Sequence, residues 1–103
     1  MDLKYKVIIS ESAQKDIDSI FEYIYLTLNA PKAADRISSN IANSILNLQA
    51  FPQQGVLTDK TSSEGSPYRK LIVENYIVYY LLCENDRVIY VSRVFDGRTD
   101  YHI

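Results

Sequence analysis

Two amphipathic segments joined by a short break constrain the fold of this chain more than any other feature of its sequence. In the first segment, apolar residues recur at the three- and four-residue spacing of a buried helix face: Ala13, Ile17, Ile20, Phe21, Ile24 and Leu28. The second segment repeats this spacing with Ala34, Ile37, Ile41, Ile45 and Leu48. Asn29-Ala30-Pro31 separates the two, because proline is tolerated in the first turn of a helix but not in its interior. The sequence therefore predicts an antiparallel helical hairpin whose two apolar faces need a shared surface.

Short β-rich segments on both sides of the hairpin can supply that surface. Leu3–Ser10 alternates apolar and polar residues, as a strand does. Beyond Phe51-Pro52, which ends the second helix, three β-rich segments are joined by short turns containing Asn or Asp: Tyr68–Val73, Tyr76–Cys83 and Arg87–Phe95. The polar stretch Gln53–Pro67 is predicted to be a mobile loop. The predicted order is β-α-α-β-β-β, an α+β fold with a small antiparallel sheet packed by a helical hairpin, in one domain spanning residues 1–103.

Composition narrows the functional classes. The chain has 11 Lys+Arg against 13 Asp+Glu and a pI of about 5.3, whereas proteins that bind nucleic acid mainly by neutralising phosphates are usually strongly basic. With the single Cys83 and one histidine we expect no disulfide, no metal site and no cofactor. The three glycines stand too far apart for a phosphate-binding loop. Because the sequence shows neither a signal peptide nor a run long enough to cross a membrane, we expect a cytoplasmic protein without a membrane partner.

Candidate functional residues gather around the last predicted strand. Arg93 lies within it, Arg98, Tyr101 and His102 follow it, and Arg69 begins another strand of the same predicted sheet. Arginine offers a planar fork of donors for phosphate or carboxylate, and tyrosine and histidine can transfer protons. One hypothesis is therefore a phosphodiester site. Its candidate catalytic residues are Arg69, Arg98, Tyr101 and His102.

The alternative is a purely structural role for these charges. Arg93 is then expected to pair with Asp96 or Asp100, and the tail to be disordered. Lys60, in the predicted loop, is a further candidate for binding, together with Arg93. Three carboxylates of the first predicted helix are expected to be solvated surface: Asp16, Asp18 and Glu22.

The order and spacing of several short motifs resemble the RelE/ParE toxins of bacterial type II toxin–antitoxin pairs. The motifs cover nearly the whole chain: Ser12-Ala13, Asp16-Ile17, Tyr23-Ile24, Ala33-Ala34, Phe51-Pro52, Gly55, Tyr68-Arg69-Lys70-Leu71, the run from Asn75 to Tyr80, and Arg93-Val94 with the run from Gly97 to Tyr101. The resemblance implies a small sheet with a helical hairpin. It also implies a toxin that arrests growth until a cognate antitoxin wraps it, of the kind associated with plasmid stabilization.

The resemblance leaves two targets open. RelE-like members are ribosome-dependent mRNA endoribonucleases that need no metal and use basic residues with a late tyrosine or histidine. For them the resemblance implies roles for Arg69 and Arg98 and for Tyr101 or His102. ParE-like members act on DNA gyrase, a protein target. The acidic pI and the long hairpin favour the ParE-like branch slightly, and Asp96 stands where many relatives carry histidine. An inactive interaction module with the same fold is a third hypothesis.

Overall fold

A computed structural model describes residues 4–98 of the chain. Its elements run in the order β1 (Lys6–Ile9), α1 (Glu11–Glu22), a π-helical turn (Tyr23–Thr27), α2 (Pro31–Asn47), β2 (Val56–Thr61), β3 (Pro67–Val73), β4 (Tyr76–Cys83) and β5 (Val88–Asp96). The predicted fold class is confirmed, since a helical hairpin packs on a small sheet. Within residues 4–98, no helix has the length and apolar character needed to span a membrane.

The sheet has five strands in the order β1-β5-β4-β3-β2, and it is mixed rather than wholly antiparallel. Strands β2 to β5 pair antiparallel with their neighbours, whereas β1 pairs parallel with β5. The prediction of an antiparallel sheet is therefore wrong for this pair. The predicted order has three strands after the helices, whereas the structure has four, because β2 was not predicted. The additional strand reverses the chain direction once more, and β5 therefore runs in the same direction as β1.

The segment predicted to be a mobile loop contains β2, so that prediction is wrong for Val56–Thr61. Val56 lies opposite Lys70 and Leu57 opposite Arg69, with an irregular register before Thr61. The Thr58 hydroxyl donates to the Tyr68 carbonyl at 2.9 Å. Strand β2 lies at the edge of the sheet and its side chains are mostly exposed, so its sequence does not need to alternate apolar and polar residues. Hydrogen bonds to β3 hold it in the sheet instead.

Both predicted helix stripes face the sheet, with one exception. The buried cluster under the helices contains these residues: Ala13, Ile24, Ala34, Ile41, Ile45, Leu48, Leu71, Val73, Tyr76, Val78, Tyr80, Ile89, Val91 and Val94. Leu28 was placed in the first stripe but is 55% exposed. Its N–H donates to the carbonyl of Tyr23, five residues back, at 3.1 Å. This wider π-helical turn rotates the residues after Ile24 out of the α-helical stripe.

The opposite face of the sheet has a smaller cluster of its own. Tyr68, Tyr79 and Phe95 are buried there, with Ile77 and Leu81 packed at its border. The guanidinium carbon of Arg93 lies 4.5 Å from the centre of the Phe95 ring. The strand aromatics thus act mainly in packing, as their position in the central strands predicts.

Candidate functional site

A pocket of about 330 Å³ opens between α1 and the ends of β4 and β5. We call it the α1–β5 pocket. It is lined by Asp16, Ser19, Ile20, Tyr23, Tyr76, Arg93, Val94, Phe95 and Asp96. Two carboxylates, one guanidinium and three hydroxyl groups therefore meet at one end of the sheet, which makes this pocket the main candidate site in the described part of the chain.

A bulge in β5 builds one wall of the pocket. Tyr79 lies opposite Arg93 and Tyr80 opposite Val91, so Ser92 is an extra residue on β5. The bulge keeps both Val91 and Val94 in the core, while the Arg93 guanidinium lies over the Phe95 ring, where β5 extends beyond its pairing with β1. The hydroxyl of Ser10, the residue that caps α1, donates to the Ser92 carbonyl at 2.8 Å. The start of α1 is thereby attached to the bulge.

Asp16 completes this attachment with three hydrogen bonds. Its Oδ2 accepts from Arg93 Nε at 2.8 Å and from the Val94 N–H at 2.9 Å, and its Oδ1 accepts from Arg93 Nη2 at 2.9 Å. The Asp16 side chain is only 15% exposed, so its prediction as solvated surface is wrong, although Asp18 and Glu22 are exposed as predicted.

The structure also corrects the expected partner of Arg93. Arg93 pairs with Asp16 of α1 and not with Asp96, whose carboxylate pairs with Arg98 instead. The other expected partner, Asp100, lies outside the described residues.

Asp96 forms the second ion pair of the pocket, with Arg98. Its Oδ1 accepts from the Arg98 N–H at 2.9 Å and from Nε at 3.1 Å, and its Oδ2 accepts from Nη2 at 2.8 Å. These hydrogen bonds hold the pKa of the Asp96 carboxyl below its ordinary value and raise the pKa of Arg98. Burial first, and then the Asp96 charge, raises the pKa of the Tyr76 hydroxyl. The Asp96–Arg98 pair therefore lies close enough to the Tyr76 hydroxyl for their charges to act on it.

Arg69 lies away from this pocket. It stands opposite Tyr80, four residues along β4 from Tyr76, which corresponds to roughly 13 Å of strand. Its Nη1 donates to the Gly55 carbonyl at 2.7 Å. The structure therefore does not bring Arg69 and Arg98 together, and Arg69 instead secures the segment between α2 and β2.

The other predicted site residues are also separated from the pocket or not described. Lys60 lies in β2, and β3 and β4 stand between β2 and β5. Tyr101 and His102 lie outside the described residues. Of the predicted residues that are described, Arg93 lines the pocket, and Arg98 lies beside it, bound to the lining residue Asp96. Within residues 4–98, no group of three or more His, Cys, Asp or Glu side chains is arranged to hold a metal ion.

Sequence reasoning missed several residues of the pocket. From the sequence, Asp16 is predicted to be surface, and Tyr23 and Tyr76 appear only within the motifs of the resemblance. The available signal was the Asp16 side chain itself, a carboxylate one turn into a helix and next to the apolar stripe. Its partner could not be identified, because Arg93 lies 77 residues away along the chain.

The fold is one that solved structures of toxin–antitoxin systems share. The structure is similar to the chromosomal ParDE toxin–antitoxin system from P. aeruginosa, with a TM-score of 0.70 and 19% identity over 90% of this chain and 96% of that chain. It is also similar to the toxin–antitoxin complex RelBE2 from Mycobacterium tuberculosis, with a TM-score of 0.63 and 15% identity over 90% and 98% of the two chains. The archaeal RelE–RelB complex from Pyrococcus horikoshii gives a TM-score of 0.62 and 16% identity over 91% and 96%.

A comparison of the sequence with models of protein families shows the family of this chain. The family model described as the ParE toxin of the type II toxin–antitoxin system, parDE, matches residues 7–101. The chain therefore belongs to the ParE toxin family, which confirms the resemblance described above. A search of curated proteins gave no match.

Proposed function

We propose that this protein is a toxin that inhibits DNA gyrase by binding to it, and that a cognate antitoxin neutralises it in the bacterial cytoplasm. The observation that carries the proposal is the state of the three candidate arginines. Arg69 is bonded to the Gly55 carbonyl, and Arg93 and Arg98 each face an aspartate. A site for phosphodiester cleavage needs donors aimed at the position of the phosphate. Arginines that already bind groups of their own chain suit a protein-binding role better.

Family membership and the exposed end of the hairpin support protein partners. The related structures from P. aeruginosa, M. tuberculosis and P. horikoshii are described as toxin–antitoxin systems or complexes. In this chain, four large apolar side chains stand exposed within one short segment: Tyr23, Tyr25, Leu26 and Leu28. We call this segment, residues 23–28, the hairpin tip. Apolar side chains clustered at an exposed position favour contact with another protein.

One observation favours the RelE-like alternative, cleavage of mRNA on the ribosome. The Arg98 side chain is 76% exposed, so its guanidinium can turn from Asp96 toward a phosphate of an approaching RNA. For this alternative, transcripts cut at defined codon positions, with cutting lost in Arg98→Ala, are the required result. An inactive interaction module remains the third hypothesis, and absence of growth arrest despite soluble expression would favour it.

A gyrase supercoiling assay with purified components tests the proposal. We expect the wild-type protein to inhibit supercoiling of relaxed plasmid. We expect Leu26→Glu, at the hairpin tip, to weaken inhibition about tenfold, because a charge then replaces an apolar contact. The matched control is Leu46→Glu, an exposed leucine of α2 away from the tip, which should change inhibition less than about twofold.

An experiment in cells distinguishes gyrase inhibition from mRNA cleavage. After induction, gyrase inhibition should reduce thymidine incorporation before methionine incorporation. An early loss of methionine incorporation, together with a wild-type protein that leaves supercoiling unaffected, would contradict the proposal and support mRNA cleavage.

A further inference from the structure

The α1–β5 pocket carries two ion pairs with the same geometry but different surroundings. In each, an arginine fork binds an aspartate that also accepts a backbone N–H. Asp16–Arg93 joins α1 to β5 and is partly buried. Asp96–Arg98 links residues two positions apart, and the Arg98 side chain is mostly exposed. Exposed ion pairs contribute little to stability, so Arg98 can leave Asp96 without disturbing the fold.

The charge of the lining indicates what could take the place of Arg98. Among the described residues, the lining includes Asp16 and Asp96 but one guanidinium, that of Arg93, because Arg98 borders the adjacent pocket over the β3–β4 turn. These described lining residues carry one net negative charge, which Arg98 no longer offsets when it turns away from Asp96. An anion entering there would approach two carboxylates, whereas a cation would compensate the charge of Asp96.

Aromatic side chains favour the same kind of ligand. Tyr23 and Tyr76 line the pocket beside Asp96, and aromatic rings attract cations that approach their faces. Asp96 already accepts a guanidinium through both of its oxygens, in the paired geometry that arginine provides and lysine does not. The site is therefore suited to an arginine fork.

We propose that the α1–β5 pocket binds an arginine side chain of a protein partner, with Asp96 as the carboxylate that receives it. Arg98 then acts as the internal partner of Asp96 that the incoming guanidinium displaces. The inference rests on the proposed function in one respect, that the protein acts through contacts with other proteins. It does not depend on gyrase being the partner.

Titration of the isotopically labelled full chain with a small probe tests the pocket directly. The probe is N-acetyl-arginine methylamide, and the matched control is N-acetyl-citrulline methylamide, which has nearly the same shape but no charge. Binding is followed by NMR at the backbone amides of Ser19, Tyr76, Val94 and Asp96. We expect the arginine probe to shift these amides and the citrulline probe to bind at least about tenfold more weakly, because it lacks the charge-assisted bonds.

Two variants assign the roles of the two pairing residues, and a third serves as their control. Asp96→Asn should weaken binding of the arginine probe about tenfold or more. Arg98→Ala should strengthen it about two- to fivefold, because the competing internal pair is removed. The matched control is Arg36→Ala, which removes another exposed ion pair, the one between α2 and Glu74, and should leave probe binding unchanged.

Besides a negative titration, three outcomes would overturn the proposal. They are equal binding of both probes, weaker binding of the arginine probe in Arg98→Ala, and inorganic phosphate binding that is lost in Arg98→Ala, which would make the pocket an anion site. Spectra of each variant establish that it is folded. Because no gyrase is present, a negative titration would overturn the pocket assignment alone, and a negative supercoiling assay would overturn the gyrase target alone.

Discussion

At the scale of single residues, one hydroxyl group organises the segment between α2 and β2. Tyr80 is fully buried, its Oη accepts from the Gly55 N–H at 2.9 Å, and it donates to the Pro52 carbonyl at 2.8 Å. A Cβ at Gly55 would lie 2.7 Å from that oxygen, so the close approach requires glycine. With Arg69 bonded to the Gly55 carbonyl, the motif that runs from Pro52 to Gly55 has a structural explanation.

Tyr80→Phe tests this arrangement. The change leaves the ring in place but removes the partner of the Gly55 N–H and of the Pro52 carbonyl, so we expect the free energy of unfolding to fall by about 1–3 kcal/mol. Urea denaturation measures the loss. Tyr90→Phe, which removes a hydroxyl from a residue 43% exposed, should change stability by less than about 0.5 kcal/mol. Equal losses in the two variants would contradict the assigned role of the Tyr80 hydroxyl.

At the scale of secondary-structure elements, the bulge in β5 and the first turns of α1 depend on each other. The extra residue Ser92 lets Arg93 and the Val94 N–H reach the Asp16 carboxylate, while Ser10 binds the Ser92 carbonyl. Bulges at functional positions redirect side chains in this way. Here the result is a fixed wall for the pocket in which Asp96 lies.

Asp16→Ala should loosen this junction. We expect a loss of about 1–3 kcal/mol in the free energy of unfolding, because charge-assisted bonds are removed and the Val94 N–H loses its acceptor. Asp18→Ala, on the exposed side of α1, is the matched control and should cost less than about 0.5 kcal/mol. Hydrogen exchange at the Val94 amide gives a local measurement. Unchanged protection there in Asp16→Ala would contradict the role assigned to the carboxylate.

The elements themselves differ in how much their sequence reveals. The helical hairpin could be predicted because Ile17, Ile20 and Ile24, and likewise Ile37, Ile41 and Ile45, recur at helical spacing. Strand β4 could be predicted to the residue from its composition. Strand β2 could not, because hydrogen bonds to β3 create it rather than apolar periodicity. Only part of the candidate site could be predicted from the sequence. Arg93 and Arg98 were predicted because arginine can bind phosphate or carboxylate, but a single sequence contains no sign that Asp16 contacts Arg93.

At the scale of the whole molecule, polar contacts connect the helical layer to the sheet outside the α1–β5 pocket as well. Glu74, in the β3–β4 turn, accepts from Arg36 Nη1 at 2.7 Å and from Asn40 Nδ2 at 2.8 Å, and the Arg36 hydrogen bond is the main cause that lowers the Glu74 pKa. Burial raises the pKa of Tyr76 and Tyr80. The stability of the folded state therefore depends on the ionisation of Glu74 at acidic pH and on that of Tyr76 and Tyr80 at alkaline pH.

We expect stability to fall at both ends of the pH range. Glu74 binds protons more weakly in the folded than in the unfolded chain, so its contribution is lost as the pH falls below the ordinary glutamate value of 4.5 and through the lowered folded pKa. The buried tyrosines ionise more readily when unfolded. Their contribution is therefore lost as the pH rises above 10.0 and through the raised folded pKa.

Melting temperatures between about pH 3 and pH 11 measure both effects. Glu74→Gln should flatten the acid limb, and Tyr80→Phe the alkaline limb. Glu64→Gln, in the β2–β3 connection, is the matched control for the acid limb. A Glu74→Gln variant with an acid limb as steep as that of the wild type would show that other carboxylates govern acid unfolding.

The parallel pairing of β1 with β5 also makes the edge of the sheet depend on the last strand of the chain to be synthesised. These strands come from the two ends of the described chain, and the hydrogen bond from Ser10 to Ser92 spans 82 residues. Contacts so distant in sequence form late, because the intervening chain must be made and ordered first. While the ribosome is still translating this message, the nascent polypeptide has no β5 and therefore no α1–β5 pocket. Any activity that needs the pocket begins only after the last strand has been synthesised.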